Sequence, residues 1–261
     1  MKRITHHASL FTHHESRITA GVPLPLLEVK DLTKRFGGVT AVDSLSFSVN
    51  ESETISIIGP NGAGKTTVFN LITGFHQPTR GQVIFEDREI AGHKPYQIAL
   101  AGVGRTFQIV KPLRGLTVFE NILVGAFART DDRGRAREVT EDILRFTGLA
   151  QARDAIAHSL PLAMRKRLEL ARSLATRPRV ILLDEVMAGL NPTESRDAVE
   201  LIKRLKDERG ISAVAGVEHV MHVVMSISDR IVVLNQGKKI AEGTPEEIAA
   251  DKEVIAAYLG E

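Results

Sequence analysis

The stretch GPNGAGKTT at residues 59–67 has the residue types and spacing of a phosphate-binding loop. It matches the pattern G-x-x-x-x-G-K-[ST] and lies between a short aliphatic run and a helical pattern, as that motif requires. The glycines allow the backbone to turn so that its N–H groups face phosphate oxygens. Lys65 can reach the β- and γ-phosphates, and the Thr66 hydroxyl can ligate Mg²⁺. The predicted nucleotide-binding residues are Gly59, Pro60, Asn61, Gly62, Ala63, Gly64, Lys65, Thr66 and Thr67.

The run VILLDE at residues 180–185 supplies a second chemical element. An aliphatic strand that ends in Asp184 delivers a carboxylate to a metal ion at the carboxyl edge of a sheet, where ligands of α/β proteins bind. Glu185 comes next and has the chemistry of a general base for an attacking water. An acidic pair at a strand end is a weak signal alone. Together with the upstream loop it indicates a nucleotide triphosphatase that uses Mg²⁺.

A sheet must bring these two elements to one edge, and the sequence predicts such a sheet. Aliphatic runs at 54–59, 179–185 and 211–219 are apolar on both faces and have helical segments between them, which is typical of a buried parallel sheet. The stretches LLEVKDLTKRF and LSFSVN alternate in polarity, as half-buried strands do. The stretch IVVLNQGKKIAEG predicts a closing hairpin that turns at Asn235-Gln236-Gly237. The predicted fold class is therefore α/β.

The chain divides into an extension and one large domain. Residues 1–24 are polar and without periodicity, so we expect a mobile extension. It contains His6, His7, His13 and His14, which could bind a metal, but the polar composition favours a solvated tail. Residues 25–261 are predicted to form a nucleotide-binding domain with helices inserted at about 112–175, including a loop at RTDDRGR. Helices are predicted to begin at NPTE and TPEE, each an N-cap followed by proline and then glutamate.

The composition excludes several classes of protein. The 261 residues contain no cysteine, so neither a disulfide framework nor a thiolate metal site is possible. Lys and Arg number 34 against 32 Asp and Glu, and a net charge of +2 gives no reason to expect a nucleic-acid partner. No apolar run approaches the roughly 20 residues needed to cross a bilayer. We therefore expect a cytoplasmic protein whose membrane role, if it has one, depends on a partner.

From about residue 26 to the end, the chain resembles the ATP-binding subunits of ABC transporters. In that resemblance Phe36 stacks on adenine, Gln108 of GRTFQ senses the γ-phosphate and contacts Mg²⁺, and His219 of EHVM is the switch histidine. It implies ATP as the nucleotide and a P-loop fold: a RecA-like core, an antiparallel β subdomain and an inserted helical subdomain. It also implies catalytic roles for Glu185, His219 and Gln108. The alternatives are a core side chain for Phe36, a solvated amide for Gln108 and a structural histidine for His219.

The stretch SLPLAMRKRLE departs from the family pattern. Leu160, Pro161, Leu162, Ala163 and Met164 occupy the five positions where the family has approximately L-S-G-G-Q, whose serine and glycines contact the nucleotide of the opposite subunit. Pro161 has neither a hydroxyl nor an N–H, and Leu162 and Ala163 add side chains where glycine permits close approach. The helix that follows has an apolar stripe of Met164, Leu168, Ala171 and Ala175. We therefore expect an altered loop on an intact helix.

Several stretches resemble one branch of the family, the ATPases of branched-chain amino acid importers and their urea and amide relatives. They are GRTFQ, LDEVMAGLNPTE, EHVM, SISDRIVVLNQGKKIAEGTPEEI and AYLGE. In AGLNPTE, Asn191 replaces an aspartate that couples two sites in many relatives, and a helix cap explains Asn191 equally well. The resemblance implies a membrane permease, a second ATPase subunit and, indirectly, a solute-binding protein, with the chain peripheral on the inner face of the membrane. The altered loop at 160–164 favours a heterodimer over a homodimer, because a partner with an unmodified loop would complete the site of this chain. A soluble ABC-type assembly ATPase and a regulatory subunit with weak hydrolysis are the alternatives.

Overall fold

The computed structural model describes residues 18–19, 22–108, 111–216 and 221–259. The strands are β1 (Ile18–Thr19), β2 (Val22–Pro23), β3 (Leu27–Phe36), β4 (Val39–Val49), β5 (Thr54–Ile58), β6 (Arg80–Phe85), β7 (Arg88–Glu89), β8 (Val103–Arg105), β9 (Val180–Asp184), β10 (Ser212–Gly216), β11 (Arg230–Asn235) and β12 (Lys238–Gly243). The helices are α1 (Lys65–Ile72), α2 (Pro95–Ala101), α3 (Val118–Phe127), α4 (Arg133–Phe146), α5 (Leu162–Ala175), α6 (Pro192–Arg209), α7 (Met221–Ile227), α8 (Pro245–Ala250) and α9 (Lys252–Leu259).

The central sheet has six strands in the order β12-β11-β5-β10-β9-β8. Neighbouring strands are parallel except β11 and β12. Every residue of β5, β9 and β10 is buried. In β9, Ile181 and Leu183 face the core that includes α5 and α6, whereas Val180 and Leu182 face the core that includes α1. Because both faces are covered, these strands are mostly apolar, which confirms the predicted buried parallel sheet.

The register of this sheet brings the two chemical elements to one edge. Gly216 of β10 pairs with Ile57 of β5 on one side and with Asp184 of β9 on the other. The phosphate-binding loop begins at Gly59, two residues beyond Ile57, and Asp184 is the last residue of its strand. Parallel strands end at the same edge, so the loop and the carboxylate lie one strand apart.

A second, antiparallel sheet has the order β4-β3-β6-β7. Its first two strands confirm the strands predicted from LLEVKDLTKRF and LSFSVN. Helix α1 contributes Phe69, Leu71 and Ile72, all with no exposed surface, to the same core as Leu27 and Leu32 of β3. This packing fixes the helix that follows the phosphate-binding loop between the two sheets.

Helices α3, α4 and α5 follow one another within the segment predicted to be helical, with two short 3₁₀ turns before α5. The loop predicted at RTDDRGR is too long by its last three residues. Helix α4 begins at Arg133, because the side chain of Asp132 accepts a hydrogen bond from the main-chain nitrogen of Arg135 at 2.7 Å and caps the helix. The domain boundary at about 112–175 stays a prediction.

Both predicted helix starts are confirmed. The Asn191 side chain caps α6 and the Thr244 side chain caps α8, each with the reciprocal bond from a glutamate three residues on. The predicted hairpin is β11–β12, and its turn is Gln236–Gly237, with φ of 47° and 81°. Asn235, which we placed in the turn, is the last residue of β11.

The predicted N-terminal extension lies mostly outside the described residues, and so do its four histidines. Within it, β1 pairs with β2 in a small antiparallel ladder. In the part of the chain that the structure describes, no helix combines the length and the apolar character that a membrane span requires.

Candidate nucleotide site

The phosphate-binding loop occupies residues 59–64, between the end of β5 and the start of α1. Its glycines at 59, 62 and 64 have φ of 152°, 82° and 102°. A Cβ on Gly59 would lie 2.1 Å from the carbonyl oxygen of Leu234, and one on Gly64 would lie 2.5 Å from that of Ala41. The neighbouring backbone therefore requires glycine at both positions, in addition to the φ values.

Lys65 is the first residue of α1, and only 7% of its surface is exposed. Its ammonium donates to the carbonyl oxygens of Gly59 at 2.6 Å and Pro60 at 3.0 Å, so the side chain spans the loop. Thr66 is exposed in the first turn of the helix and Thr67 is half-buried. The loop and the helix N-terminus thus present N–H groups, a hydroxyl and an ammonium at one place, which is the chemistry that binds phosphate.

Asp184 is 5% exposed and accepts a hydrogen bond from Arg105, with 2.9 Å between Arg105 Nη2 and Asp184 Oδ2. Its main-chain nitrogen donates to Thr106 Oγ1 at 3.2 Å. Burial lowers the pKa of Arg105, and the hydrogen bond and charge of Asp184 oppose that shift. The predicted metal-binding carboxylate is therefore buried and held by a charge-assisted hydrogen bond.

Glu185 adopts a left-handed backbone conformation with φ of 48°. Such a conformation is uncommon for residues other than glycine and occurs often at active sites. Its nitrogen donates to Gly216 O at 3.1 Å, and its carbonyl accepts from Lys166 Nζ of α5 at 2.8 Å. Burial lowers the pKa of Lys166, and the charges of Glu185 and Glu169 oppose the shift. The backbone of the predicted general base is thus held from β10 and from α5.

Gln108 is exposed and follows a segment that is held on two sides. The Phe107 nitrogen donates to Glu169 Oε1 at 3.0 Å, which ties the segment to α5. The Thr106 nitrogen donates to Leu182 O at 2.9 Å, which ties it to β9. Burial raises the pKa of Glu169 to about 7, although the hydrogen bond from Phe107 and nearby cations act in the other direction. Gln108 is therefore exposed to solvent and lies two residues beyond Thr106, whose hydroxyl accepts the hydrogen bond from the Asp184 nitrogen.

Phe36 is 45% exposed, which excludes the core alternative. It is the last residue of β3 and pairs with Val39 of β4. Two residues further along β4, the carbonyl of Ala41 lies against Gly64 of the phosphate-binding loop. The ring meets His76 edge-on at 5.2 Å and lies 4.9 Å from the Lys34 ammonium. Phe36 therefore offers an exposed aromatic ring at the end of a strand pair that contacts the phosphate-binding loop through Ala41, and its stacking role stays a prediction.

His219 falls at residues 217–220, outside the described residues, and its role stays a prediction. The strand before it, β10, ends at Gly216, which pairs with Asp184. The chain therefore leaves the sheet at the edge where the other predicted site residues lie.

The altered loop at 160–164 runs into α5 without a side-chain cap. Pro161 is the N-cap residue and Leu162 begins the helix. Leu162 is 37% exposed, and its Cδ2 lies 3.0 Å from where a Cβ on Gly189 would be. The predicted inner stripe is confirmed, because Leu168, Ala171 and Ala175 are buried and Met164 packs against the same core.

Asn191 has the structural role that we considered for it. Its Oδ1 accepts from the main-chain nitrogens of Thr193 and Glu194, both at 3.0 Å. Glu194 Oε2 in turn accepts a hydrogen bond from the Asn191 nitrogen at 2.9 Å. This capping box accounts for an asparagine at the start of α6.

Four contacts were missed from the sequence, namely those of Arg105, Lys166, Glu169 and Tyr258. A charged residue on the apolar side of α5 was a usable signal for Glu169. Burial raises the pKa of the Tyr258 phenol above its ordinary value. A hydrogen bond between the phenol and the main chain of Gly59 acts in the other direction. The stretch AYLGE therefore contacts the first residue of the phosphate-binding loop.

A glycine loop and a buried carboxylate that meet at the carboxyl edge of a parallel sheet are the arrangement of P-loop nucleotide triphosphatases. The sequence comparisons agree. A model described as ABC transporter matches residues 42–188, and one described as Branched-chain amino acid ATP-binding cassette transporter matches residues 238–261.

Two curated relatives and one solved structure illustrate the similarity. The high-affinity branched-chain amino acid transport ATP-binding protein BraF of Pseudomonas aeruginosa is 45% identical over 91% of this chain and 98% of its own length. The protein of the same description, LivG, of Escherichia coli K12 is 43% identical over 91% and 98%. The crystal structure of an ATP-binding cassette of an ABC transporter in its ADP conformation has a TM-score of 0.81 and 33% identity, with 91% of this chain and 100% of that chain covered.

The chain belongs to the ABC transporter family. Within that family it is an ATP-binding subunit and an ATPase, as its cassette domain and its relatives show.

Proposed function

We propose that this subunit hydrolyses ATP to power the uptake of branched-chain or related amino acids, or of urea and amides, through a membrane permease. The observation that carries the proposal is the 45% identity, over 91% of the chain, to a protein named for high-affinity branched-chain amino acid transport. The match of residues 238–261 to a model of the same description supports it. In this proposal the chain is peripheral on the inner face of the membrane, and the permease and an external solute-binding protein select the solute.

In the proposed reaction, Lys65 binds the phosphates of ATP through its charge, and Glu185 orients the attacking water and accepts its proton. Gln108 and His219 complete the site around the γ-phosphate. Phe36 packs on the adenine ring. The left-handed backbone of Glu185 aims its side chain from the end of β9, where Lys166 holds the carbonyl at 2.8 Å.

The residues present fit Mg²⁺ as the accompanying ion. Thr66, Gln108 and Asp184 offer oxygen ligands, which this ion prefers. Among the described residues, no group of three or more His, Cys, Asp or Glu side chains could hold a metal by itself. That fits an ion bound mainly through one carboxylate and substrate phosphates. When bound, the ion neutralises charge on the phosphate oxygens.

We further propose that the working ATPase is an asymmetric heterodimer. In a head-to-tail pair, residues 160–164 of this chain would face the nucleotide of the partner. Pro161 at the start of α5 offers neither a hydroxyl nor an N–H, and the exposed Leu162 lies beside it. Lys65, Asp184, Glu185 and His219 of this chain would meet the partner's loop instead. An intact catalytic set beside an altered loop therefore favours two unequal sites.

The experiment is co-expression of this chain with its cognate permease and a second ATPase subunit. We expect the chain to move from the soluble to the membrane fraction only when the permease is present. Vesicles that contain the complex should take up labelled leucine when ATP is inside, and Lys65→Ala should abolish that uptake. A chain that stays soluble beside a correctly inserted permease would favour the assembly ATPase. Membrane recruitment with uptake unaffected by Lys65→Ala would favour the regulatory subunit.

A further inference from the structure

Arg105 lies between the two halves of the nucleotide site and bonds to both. Its Nη2 donates to Asp184 Oδ2 at 2.9 Å, across 79 residues of sequence. Its Nη1 donates to Asn70 Oδ1 at 2.7 Å and to Thr73 Oγ1 at 2.9 Å, both on the helix that begins with Lys65 or at its end. One guanidinium thus bridges the end of β9 and the phosphate-binding helix.

The surroundings leave the guanidinium little freedom. The Arg105 side chain is 6% exposed, and its carbon Cζ lies 5.0–5.8 Å from the ring centres of Phe69, Phe75 and Phe107. A planar fork that is stacked on rings and bonded on two sides is preorganised in a way that a lysine ammonium is not. The bond to Oδ2 therefore holds one oxygen of the Asp184 carboxylate in a defined direction.

The chain on either side of the Asp184 contact is held equally closely. Arg105 ends β8, and the next two residues bond to β9 and to α5. Thr106 accepts from the Asp184 nitrogen at 3.2 Å, and Phe107 donates to Glu169 at 3.0 Å. Gln108 follows at once. The backbone that carries Arg105 is therefore held beside Asp184 by bonds to β9 and to α5.

We propose that Arg105 is the positioning residue of the metal-binding aspartate. The inference rests on the proposed binding of Mg²⁺ by Asp184 and concerns what holds that carboxylate in place. A residue that only stabilised the fold would leave the effect of Mg²⁺ on nucleotide binding unchanged.

The test measures the affinity of the full-length chain for a fluorescent ATP analogue, once with excess Mg²⁺ and once with EDTA. The readout is the dissociation constant in EDTA divided by the dissociation constant with Mg²⁺, and it does not depend on turnover. For Arg105→Gln we expect the affinity in EDTA to stay close to that of the unmodified chain. The Mg²⁺-dependent gain should fall about ten-fold, because loss of a group that holds a metal ligand typically costs ten- to a hundred-fold.

Three further variants give the result its meaning. Asp184→Asn removes the ligand itself and sets the largest possible loss. Asn70 accepts one of the hydrogen bonds that orient Arg105, so Asn70→Ala should reduce the gain less than Arg105→Gln does and add nothing in that background. Arg230→Gln is the control, because Arg230 is likewise a partly buried arginine that forms ion pairs, in its case with Glu53 and Glu242 away from the site. It should leave the ratio unchanged.

If Arg105→Gln does not fold, as judged by thermal melting, Arg105→Lys and Asn70→Ala carry the test, and each should lower the ratio in part. An unchanged ratio in the folded Arg105 variants, with a loss in Asp184→Asn, would overturn the positioning role. A higher ratio would overturn it as well, since Arg105 would then compete with the ion. An unchanged ratio in Asp184→Asn would instead refute the proposed metal role of Asp184.

Discussion

Oε1 of Glu169 lies 3.0 Å from the main-chain nitrogen of Phe107, so helix α5 directly holds the residue before Gln108. The same helix carries the altered loop at its N-terminus and Lys166, which bonds the Glu185 carbonyl. One helix therefore contacts both the glutamine loop and the backbone of the predicted general base. Two predictions concern α5 directly. One concerns the buried carboxylate of Glu169, and the other concerns the altered loop at the start of the helix.

The first prediction is a pH-dependent destabilisation by Glu169. Burial raises its pKa from 4.5 to about 7 in the folded chain. The folded state then binds more protons than the unfolded state between these values, so stability falls as pH rises from about 4.5 through 7. Glu169→Gln keeps an acceptor for Phe107 without the charge. It should raise the free energy of unfolding at pH 8 by about 1–3 kcal/mol and have little effect at pH 4.5.

Urea unfolding of both proteins across this pH range checks the prediction. The exposed Glu138 of the neighbouring helix α4 is the control, and Glu138→Gln should not reproduce the gain in stability at pH 8. A Glu169→Gln protein that is less stable than the parent at pH 8 would show that the ionised carboxylate is favourable in place.

The second prediction separates nucleotide binding from hydrolysis. Lys65→Ala should weaken ATP binding by about ten- to a hundred-fold, because a charge-assisted hydrogen bond contributes roughly 1.5–3 kcal/mol. Glu185→Gln should retain binding, abolish turnover and trap a closed dimer. Equilibrium binding and phosphate release, measured on the assembled complex, distinguish the two. Normal phosphate release by the Glu185→Gln complex would remove that residue from the base role.

The third prediction tests the unequal sites of the proposed heterodimer. In the assembled transporter, Glu185→Gln should abolish most hydrolysis, while the same change in the partner subunit should cost little. The reason is that the partner's nucleotide would face Pro161, and a lost charge-assisted bond to phosphate slows a site by about ten- to a hundred-fold. Equal losses from the two changes would contradict asymmetry. Strong ATPase activity from this chain alone would show that the altered loop is competent.

The fourth prediction is that residues 1–24 are dispensable. The family model begins its match at residue 42, and the first buried contacts of the domain come from Leu26, whose nitrogen donates to Val49 O at 2.8 Å. A chain that begins at residue 25 keeps that bond. We expect unchanged ATPase activity and complex formation, measured beside circular dichroism. Loss of activity in a folded truncated protein would assign a function to the extension.

The fifth prediction concerns the hydrogen bond between the Tyr258 phenol and the main chain of Gly59. Tyr258→Phe keeps the ring and removes the hydroxyl, so it should lower the free energy of unfolding by about 0.5–1.5 kcal/mol. The other tyrosine, Tyr96, is 60% exposed and serves as the control. Tyr96→Phe should leave stability unchanged. Equal effects of the two changes would mean that the contact with the phosphate-binding loop contributes nothing.

Local patterns in the sequence were enough to predict the phosphate-binding loop, the buried strands and the helix caps. A loop of Gly59 to Gly64 needs particular φ values that only glycine adopts readily, and a capping box such as that of Asn191 joins residues three apart. The predicted loop at RTDDRGR was too long, because Asp132 caps α4 and Gly134 lies within that helix.

By itself, the sequence determined which chemical groups this protein has and on which kind of element each lies. Only the tertiary structure decided their partners, because those contacts join residues that are distant in the chain and depend on the packing of separate elements. Arg105 and Asp184 are 79 residues apart, and Phe107 and Glu169 are 62 apart. No periodicity or spacing encodes such a pair. Each pair exists because β8 lies beside β9 and these strands pack against α1 and α5. A charged group that is buried there is costly unless it is hydrogen-bonded, and the packing of these elements decides which partner is within reach.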